Sequence, residues 1–418
     1  MYHRLPHLCN YQRMVETLAE HPEFAAGVKH YWQFQYPGQG GWNRPKIFEF
    51  WKQLARDLHM DDPEDPEFNH ADAGDISAPQ FCEEVLVGLL SKTIESLSLM
   101  IEDEGNYDGT SFPYLDRRFR HLGSPGLPRL RRLRFDTEER WGVHTDNPGA
   151  LVILRNASNL EYLEFHSTKG PEVEWADDDD TPPRITTIFP TLSSLRTLKF
   201  TDSAFDGTVC CRLVRTYAKT SSLLETFHFV DHSAWLGENE DMIGMRLALL
   251  KALKPRQDTL KNLTLDLSHH SSPQYAIGDD AACRSLLRKF TNVETLSIDE
   301  QVVCRYCAAT RSFPETADSN EVPNTCLVES LPESVKTVTI KIFFNSHIWE
   351  DLKALADGIA CGNFPKLRHV FVVPDYRYGQ DNEDLSFSDV REQAEAQVLE
   401  TKGHFANTAV TLDIRPSR

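Results

Sequence analysis

A pair of cysteines is the sharpest metal-binding pattern in the sequence. Cys304 and Cys307 have the Cys-x-x-Cys spacing that one half of a structural zinc site uses. Zinc needs four ligands, and no second pair of cysteines or histidines follows at a set spacing. A redox motif would need a thioredoxin-like unit, which the flanking sequence does not predict. We therefore predict no zinc at this pair and no cofactor in the protein.

The sequence also lacks the common signatures of catalysis. Residues 38–41, Gly-Gln-Gly-Gly, lack the Lys-Ser/Thr pair of a phosphate-binding loop and do not follow a predicted strand. No Gly-x-Ser-x-Gly or His-Glu-x-x-His segment occurs. His269-His270 follow a predicted strand, at a position typical of an exposed turn. We predict that the protein is not an enzyme; the alternative is a site that uses Glu164, His166 and His228.

Composition and charge exclude several classes of partner. The 418 residues contain 63 acidic and 44 basic side chains, which gives a formal net charge of −19. Nucleic acids and anionic membranes bind basic surfaces, so we expect neither as a partner. No apolar segment approaches the roughly 20 residues of a membrane helix, and residues 1–7 lack the apolar stretch of a signal peptide. Nine cysteines without regular spacing are typical of a reduced protein, so we predict an intracellular location.

One short phrase recurs along the chain and predicts the elements that position its polar residues. It reads apolar, two polar, apolar, two polar, apolar, one polar, apolar. Four copies are complete, at residues 127–135, 192–200, 290–298 and 364–372, and five lack the first apolar residue. We call the second-to-last apolar residue of each copy its anchor. The nine anchors are Leu97, Leu133, Leu163, Leu198, Phe227, Leu263, Leu296, Val338 and Val370, at intervals of 29 to 42 residues.

The end of the phrase predicts a strand, and the segments between copies predict helices. The closing apolar–polar–apolar step has period two, which is typical of a short strand with one buried face. Helical apolar spacing precedes several copies, at Gly207–Ala218, Met242–Leu253, Asp280–Phe290 and Ile348–Cys361. A doubly wound sheet would show continuous apolar strands rather than this alternation. We predict an α/β solenoid with parallel strands on a concave face and helices on a convex face.

The phrase resembles the leucine-rich repeat, L-x-x-L-x-L-x-x-N/C-x-L, over about Ile94 to Val372. Its long, irregular, helix-containing units are similar to the ribonuclease-inhibitor-like arrays of fungal F-box and F-box-like proteins. The resemblance implies a horseshoe, with a first strand near Val28–Phe34 and a last one at Ala409–Ile414. It also implies a substrate receptor of a ubiquitin ligase. Leu5-Pro6 only imitate the opening of an F-box, so we expect the ligase adaptor as a partner only if an upstream F-box is missing from this chain.

The predicted organisation has two parts. Residues 1–90 form an N-terminal helical cap and the first repeat, and Arg44–His59 form an amphipathic helix that covers the open end. Residues 91–418 form the solenoid. Standard repeats carry Asn or Cys five residues after the anchor. In this sequence other residues occupy that position, so we expect no regular ladder of buried side chains there. Acidic or long insertions at Asp61–Glu67, Trp175–Pro183 and Ala308–Thr325 are predicted to be solvated loops.

The polar residues that flank each anchor share one face of the predicted sheet, because side chains alternate along a strand. The first copies carry charged and aromatic residues there, whereas later ones carry mostly Thr, Ser and Asn. Arg and Tyr are over-represented among interface anchors. We predict an unknown protein partner on this face or on the insertion loops, either as a receptor substrate or as the ligand of a free-standing scaffold. The predicted partner-binding residues are Arg132, Arg134, Tyr162, Glu164, Lys199 and His228.

Overall fold

The protein contains two compact units, Met1–Leu195 (unit 1) and Arg196–Arg418 (unit 2). The structure is a computed structural model. It describes residues 17–32, 45–60, 78–100, 112–123, 125–136, 145, 147–168, 189–203, 207–230, 245–267, 280–303, 325–342, 348–374 and 387–415. In both units strands and helices alternate along the chain, and every described strand pair is parallel.

The described residues of unit 1 contain four strands, which pair in chain order. They are β1 (His30–Trp32), β2 (Ser96–Met100), β3 (Arg132–Asp136) and β4 (Tyr162–His166). The described helices are α1 (Pro22–Ala25), α2 (Pro45–Asp57), α3 (Ala78–Leu90), α4 (Pro113–Leu122) and α5 (Pro148–Asn156). Tyr31, Leu97, Leu133 and Leu163 stand directly opposite one another on successive strands, so the anchors set the register.

Unit 2 repeats the arrangement with seven strands, which also pair in chain order. They are β5 (Thr197–Thr201), β6 (Thr226–Val230), β7 (Asn262–Asp266), β8 (Thr295–Asp299), β9 (Thr337–Ile342), β10 (His369–Pro374) and β11 (Thr411–Ile414). The described helices are α6 (Gly207–Thr220), α7 (Met245–Leu253), α8 (Asp280–Leu287), α9 (Glu300–Val303), α10 (Cys326–Ser330), α11 (Ile348–Ala360) and α12 (Phe387–Phe405), and a 3-10 turn covers Lys254–Arg256.

The nine predicted strands are confirmed. Each anchor lies in one of the strands β2 to β10 and is at most 1% exposed. The two further strands, β1 and β11, fall inside the segments predicted from the family resemblance. The strands are therefore placed by burial of alternate side chains, which contributes roughly 2 to 3 kcal/mol for each large apolar residue.

The first half of the phrase forms a tight turn that leads into each strand. In the complete copies the N–H of the second apolar residue donates to the carbonyl of the first, over 3.3 Å at Leu130–Leu127 and 3.0 Å at Leu367–Phe364. The same bond joins Val293 to Phe290, so the helix predicted to reach Phe290 ends at Leu287 instead. The N–H of Phe290 donates to the carbonyl of Leu287 over 3.2 Å, three residues back instead of the four of an α-helix, so the helix has already ended.

Buried charged side chains join the helices of unit 1. The carboxylate of Glu84 in α3 accepts a hydrogen bond from the N–H of Leu115, 2.9 Å away in the first turn of α4. The guanidinium of Arg118 in α4 donates to the carbonyl of Leu58, 2.7 Å away just after α2. Both contacts satisfy backbone groups that a helix end leaves without an intrahelical partner. They hold three successive helices of the unit together.

The parallel α/β repeat is confirmed, while the horseshoe, the leucine-rich-repeat identity and the boundary at residue 90 stay predictions. Most of the positions five residues after the anchors lie outside the described residues. Thr168 and Ser203 are described and buried. In unit 2 a side chain at another position of the phrase joins neighbouring repeats. The carboxylate of Asp299, three residues after its anchor, accepts a hydrogen bond from the N–H of Leu267 over 2.8 Å.

Candidate functional site

The structure pairs the six predicted binding residues within each unit, four in unit 1 and two in unit 2. In unit 1 Arg132 stands opposite Tyr162, and Arg134 stands opposite Glu164, on the adjacent strands β3 and β4. In unit 2 Lys199 on β5 stands opposite His228 on β6. In each group the side chains lie on the face of the strands opposite to the buried anchors.

A rigid apolar layer supports the group in unit 1. Leu133 and Phe135 of β3 and Leu163 and Phe165 of β4 are at most 1% exposed. The rings of Phe135 and Phe165 stack with centroids 5.6 Å apart. Because these residues alternate with the polar ones, their packing fixes the direction in which the polar side chains leave the backbone.

Polar contacts link the exposed side of β3 and β4 into one chain. The Tyr162 hydroxyl donates a short hydrogen bond to Glu164 Oε2, and Glu164 Oε1 lies 3.8 Å from Arg134 Nη1. Arg134 in turn donates to Asp136 Oδ2, over 2.6 Å from Nη2 and 3.1 Å from Nε. His166 Nε2 lies 3.8 Å from Asp136 Oδ1. We call these residues together with Arg132 the polar cluster: Arg132, Arg134, Asp136, Tyr162, Glu164 and His166.

The two arginines of the polar cluster differ in how their charge is balanced. Arg134 contacts two carboxylates, so its charge is neutralised within the cluster. Arg132 is exposed, and its guanidinium carbon lies 4.8 Å from the centre of the Tyr162 ring, a cation–π contact. In the described part of the chain no carboxylate forms an ion pair with Arg132. The cluster therefore presents one ordered but unneutralised cation.

Tyr162 remains a hydrogen-bond donor at any physiological pH. Its pKa is raised well above the usual value, first by partial burial and then by its hydrogen bond to Glu164. The neutral phenol keeps its proton and donates it in the hydrogen bond to Glu164, which fixes the ring beside Arg132. The ring, the carboxylate and the guanidinium are thus held in one arrangement.

The polar face of the strands in unit 2 carries fewer charged and aromatic side chains than that of unit 1. Small polar side chains continue the row of His228 on the next strands, at Thr264, Ser297 and Thr339. The row reaches Phe371 on β10, where the guanidinium carbon of Arg415 lies 3.4 Å from the ring centre. Among the predicted residues, those of unit 1 form a continuous contact network, whereas Lys199 and His228 are neighbours by register.

Sequence reasoning missed a second feature, a row of alternating charges at the residue two before each anchor. We call this row the charge ladder. In unit 1 the nearest charged atoms are 2.7 Å apart for Lys29–Glu95 and 2.6 Å for Arg131–Glu161. In unit 2 they are 3.4 Å for Arg196–Glu225, 3.0 Å for Lys261–Glu225 and 2.9 Å for Lys336–Glu294. The alternation of charge is visible in the sequence, because these residues occupy a fixed position of the phrase. The parallel register of the strands then places them side by side in a row.

The charge ladder lowers the pKa of two of its glutamates. Glu95 has a lowered pKa chiefly because its carboxylate accepts a hydrogen bond from Lys29. Glu294 has a lowered pKa chiefly because of the hydrogen bond from Lys336, with a further contribution from the charge of Lys261. A positive neighbour favours the charged carboxylate in each case.

Charged side chains, of which Asp299 is fully buried and the others are partly exposed, also meet at the carboxyl ends of β7, β8 and β9. Lys341 Nζ lies 2.9 Å from Asp266, and Arg246 Nη2 lies 3.7 Å from Asp299. Burial raises the pKa of Asp299, and the charge of Asp266 raises it further, against the opposing charge of Arg246. Asp299 also accepts a hydrogen bond from the N–H of Leu267. We therefore infer that these charged residues stabilise the contact between neighbouring repeats.

Several predicted features lie outside the described residues. They are Cys304 and Cys307, His269 and His270, residues 38–41, the insertions at 61–67 and 175–183, and the third insertion apart from Thr325. Within the described ranges no three histidine, cysteine or acidic side chains are grouped to hold a metal ion. The same residues include no helix with the length and apolar character needed to cross a membrane.

Comparison with known proteins adds no assignment. A scan of the chain against protein-family models gives no match. A search of curated proteins gives no match either. The functional assignment therefore rests on the geometry of the polar cluster.

Proposed function

We propose that the chain is a non-enzymatic protein-interaction module whose partner docks on the polar cluster of β3 and β4. The observation that carries this proposal is the ordered contact between Arg132, Tyr162 and Glu164 on a buried apolar layer. Arg and Tyr are the residue types enriched at the energetic centres of interfaces. The cluster fits that role because it exposes both on a rigid support.

Preorganisation is the energetic reason for this choice. Immobilising a flexible side chain on binding costs roughly 0.5 to 1.5 kcal/mol. The side chains of Arg134, Tyr162 and Glu164 are already held by one another, so a partner meets them with much of that cost removed. Within the described residues, Thr264, Ser297 and Thr339 on β7 to β9 form no comparable side-chain network, which favours unit 1 as the recognition surface.

We propose further that the module acts as a substrate receptor, as the resemblance to fungal F-box proteins implies, inside the cell. The alternative is a free-standing scaffold without a ligase role. Co-purification of the ubiquitin-ligase adaptor with the product of the intact gene, expressed with any coding sequence upstream of residue 1, distinguishes the two. Adaptor in equal amount would favour the receptor, whereas its absence, with a different partner still bound at the polar cluster, would favour the scaffold.

An enzymatic site that uses Glu164 and His166 receives less support. A general base needs a carboxylate that is free to take a proton from a substrate. The carboxylate of Glu164 already accepts a hydrogen bond from the Tyr162 hydroxyl and faces Arg134. His166 lies beside Asp136, whose other oxygen is bonded to Arg134. These contacts suit a fixed binding surface better than a proton-transfer site.

Binding of a purified partner to matched variants tests the proposal. Tyr162→Ala removes the ring under Arg132 and is expected to weaken binding by about 1 to 3 kcal/mol, which is roughly 5- to 150-fold. Thr264→Ala, on the small polar row of unit 2, is the control and should bind as the parent protein does. Equal binding by both variants, together with loss of binding on changes in residues 175–183, would assign recognition to the insertion loop instead.

A further inference from the structure

Successive helical segments of unit 2 carry almost no acidic residues, although the chain as a whole is acidic. Helix α6, helix α7, the 3-10 turn and helix α8 contain 14, 9, 3 and 8 residues. At the average of 63 acidic residues in 418 they would carry about five between them, yet Asp280 is the only one. Their basic residues number three, two, two and one, and Arg288 and Lys289 follow α8 directly. These segments are therefore strongly positive within an acidic protein.

Most of these basic residues lie on the outer faces of the segments. Arg215 and Lys219 are one turn apart on α6 and exposed, whereas Tyr217 between them is buried. Helix α7 packs against both α6 and α8, and helices in contact lie about 8 to 10 Å apart. Arg256 of the 3-10 turn donates to the carbonyl of Ser222, 3.2 Å away just after α6. The six exposed cations form one neighbouring group, which we call the basic surface: Arg215, Lys219, Lys251, Lys254, Arg288 and Lys289.

The cations of the basic surface are not neutralised as other cations of unit 2 are. Arg246, which is less exposed on α7, pairs with Asp299 over 3.7 Å. On the basic surface, Arg288 lies 3.9 Å from Glu333, which is 79% exposed. No other carboxylate of the described residues forms an ion pair with any of the six cations. Five positive charges therefore face the solvent without a counter-charge from the described part of the chain.

Stabilisation of helix ends does not account for the basic surface. A cation in the last turn of a helix is favourable because the carbonyl end carries partial negative charge. Lys219 and Lys251 occupy such positions, but α3 and α11, each of 13 residues, have no basic residue in the last turn. The same dipole favours acidic residues in the first turn, and α6 and α7 have none there. A second reason for the excess of positive charge is therefore needed.

We propose that the basic surface binds an acidic segment of a partner protein, independently of the polar cluster in unit 1. A patch of one sign attracts the opposite charge and accelerates association. Lysine is long and flexible, so the basic surface selects negative charge rather than one fixed arrangement of carboxylates. The site therefore suits a segment rich in glutamate and aspartate.

Three observations favour a short acidic segment over a nucleic acid or a membrane. The net charge is −19 for the whole chain and therefore −25 without these six cations, so a large polyanion that extends beyond the basic surface meets repulsion. Glu329 and Glu333 already stand beside α8, where they pair with its arginines. Within residues 207–289 only one large apolar side chain among those described, that of Leu223, is exposed for insertion into a bilayer.

Binding of labelled probes to the full chain tests the proposal. The probes are an end-blocked peptide of six glutamates alternating with serines, the same peptide with glutamine for glutamate, a thymidine strand with six phosphates, and vesicles that contain phosphatidylserine. In 0.1 M NaCl the glutamate peptide should bind about tenfold or more tightly than the glutamine peptide, and 1 M NaCl should abolish the difference by shortening the screening length to about 3 Å. Equal binding of the two peptides would overturn the proposal, as would tighter binding of the oligonucleotide or the vesicles.

Paired charge reversals locate the site. Lys219→Glu with Lys254→Glu should weaken binding of the glutamate peptide about tenfold or more, because two attractions become two repulsions. Lys219→Arg with Lys254→Arg keeps both charges and should bind as the parent protein does. Lys92→Glu with Arg155→Glu, at two exposed cations of unit 1, changes the net charge equally and is the control. Equal losses in the two reversed proteins would refute the assignment, because net charge alone would then explain binding.

Failure of this inference is distinguishable from failure of the proposed function. None of these variants alters β3 or β4, so capture of the purified partner by the polar cluster is tested separately with Tyr162→Ala. The unfolding transitions of the variants should match that of the parent protein, since the replaced side chains are exposed. Loss of peptide binding with an unchanged unfolding transition is thus the result expected for Lys219→Glu with Lys254→Glu, and retained binding in that folded protein would overturn the inference.

Discussion

Reversing one charge of the charge ladder should destabilise unit 2 more than its exposed position suggests. Glu225 lies 3.0 Å from Lys261 and 3.4 Å from Arg196, so it is the anion between two cations of the row. Glu225→Lys removes both attractions and places three cations side by side. The change therefore tests whether the alternating row contributes to stability.

The expected magnitude follows from exposure and distance. The side chains of Glu225, Arg196 and Lys261 are 34%, 48% and 52% exposed, so solvent screens each pair and the contribution is about 0.5 kcal/mol per pair. Like charges at the same spacing are unfavourable by a similar amount. Reversal should thus lower the free energy of unfolding by about 2 kcal/mol, half from lost attraction and half from new repulsion.

Urea unfolding at low and high salt measures this effect. Glu392→Lys is the control, because Glu392 is exposed on α12 and the substitution changes the net charge equally. In 1 M NaCl the screening length is about 3 Å, comparable with the distances in the row, so the cost of Glu225→Lys should fall to less than half. Equal losses for the two variants, or a loss that salt leaves unchanged, would refute a stabilising charge ladder.

Three further predictions concern one core residue and two carboxylates, one in the charge ladder and one buried. Leu163→Ala should lower the free energy of unfolding by about 2 to 5 kcal/mol, measured in urea, because the anchor is fully buried. The stability that Glu95 contributes should be present above the usual carboxyl pKa and be lost as pH falls through its lowered folded-state pKa, so Glu95→Gln should flatten this part of the stability–pH curve. Asp299 has a raised pKa, so its contribution declines as pH rises, and Asp299→Asn should gain stability relative to the parent over that range.

The strands could be predicted because their signal is local. Each anchor is flanked by polar residues within one short phrase, and burial of alternate side chains needs no knowledge of distant residues. Helix α4 gave a weaker signal, since Leu115 and Phe119 are its main apolar residues amid several charges. Its first turn is stabilised by Glu84, which is 31 residues away in the sequence. A contact of that kind has no local pattern.

The binding residues could be predicted from their residue types alone. Their arrangement in space follows from the pairing register of the strands, which the sequence does not give. Arg132 and Tyr162 are 30 positions apart in the chain and become neighbours only when Leu133 pairs with Leu163. Asp136 was missed because it lies one position beyond the phrase, although it forms the closest ion pair of the polar cluster.

Photo-crosslinking tests the central claim, that a protein partner docks on the polar cluster, most directly. A photoreactive phenylalanine derivative replaces Arg132 in one protein, Thr264 in a second and Trp175 in a third, and adducts formed in cells are identified by mass spectrometry. The account predicts that position 132 yields one dominant protein partner and that position 264 yields little of it. Equal adducts at the two positions, or adducts of that partner only at residues 175–183, would contradict it.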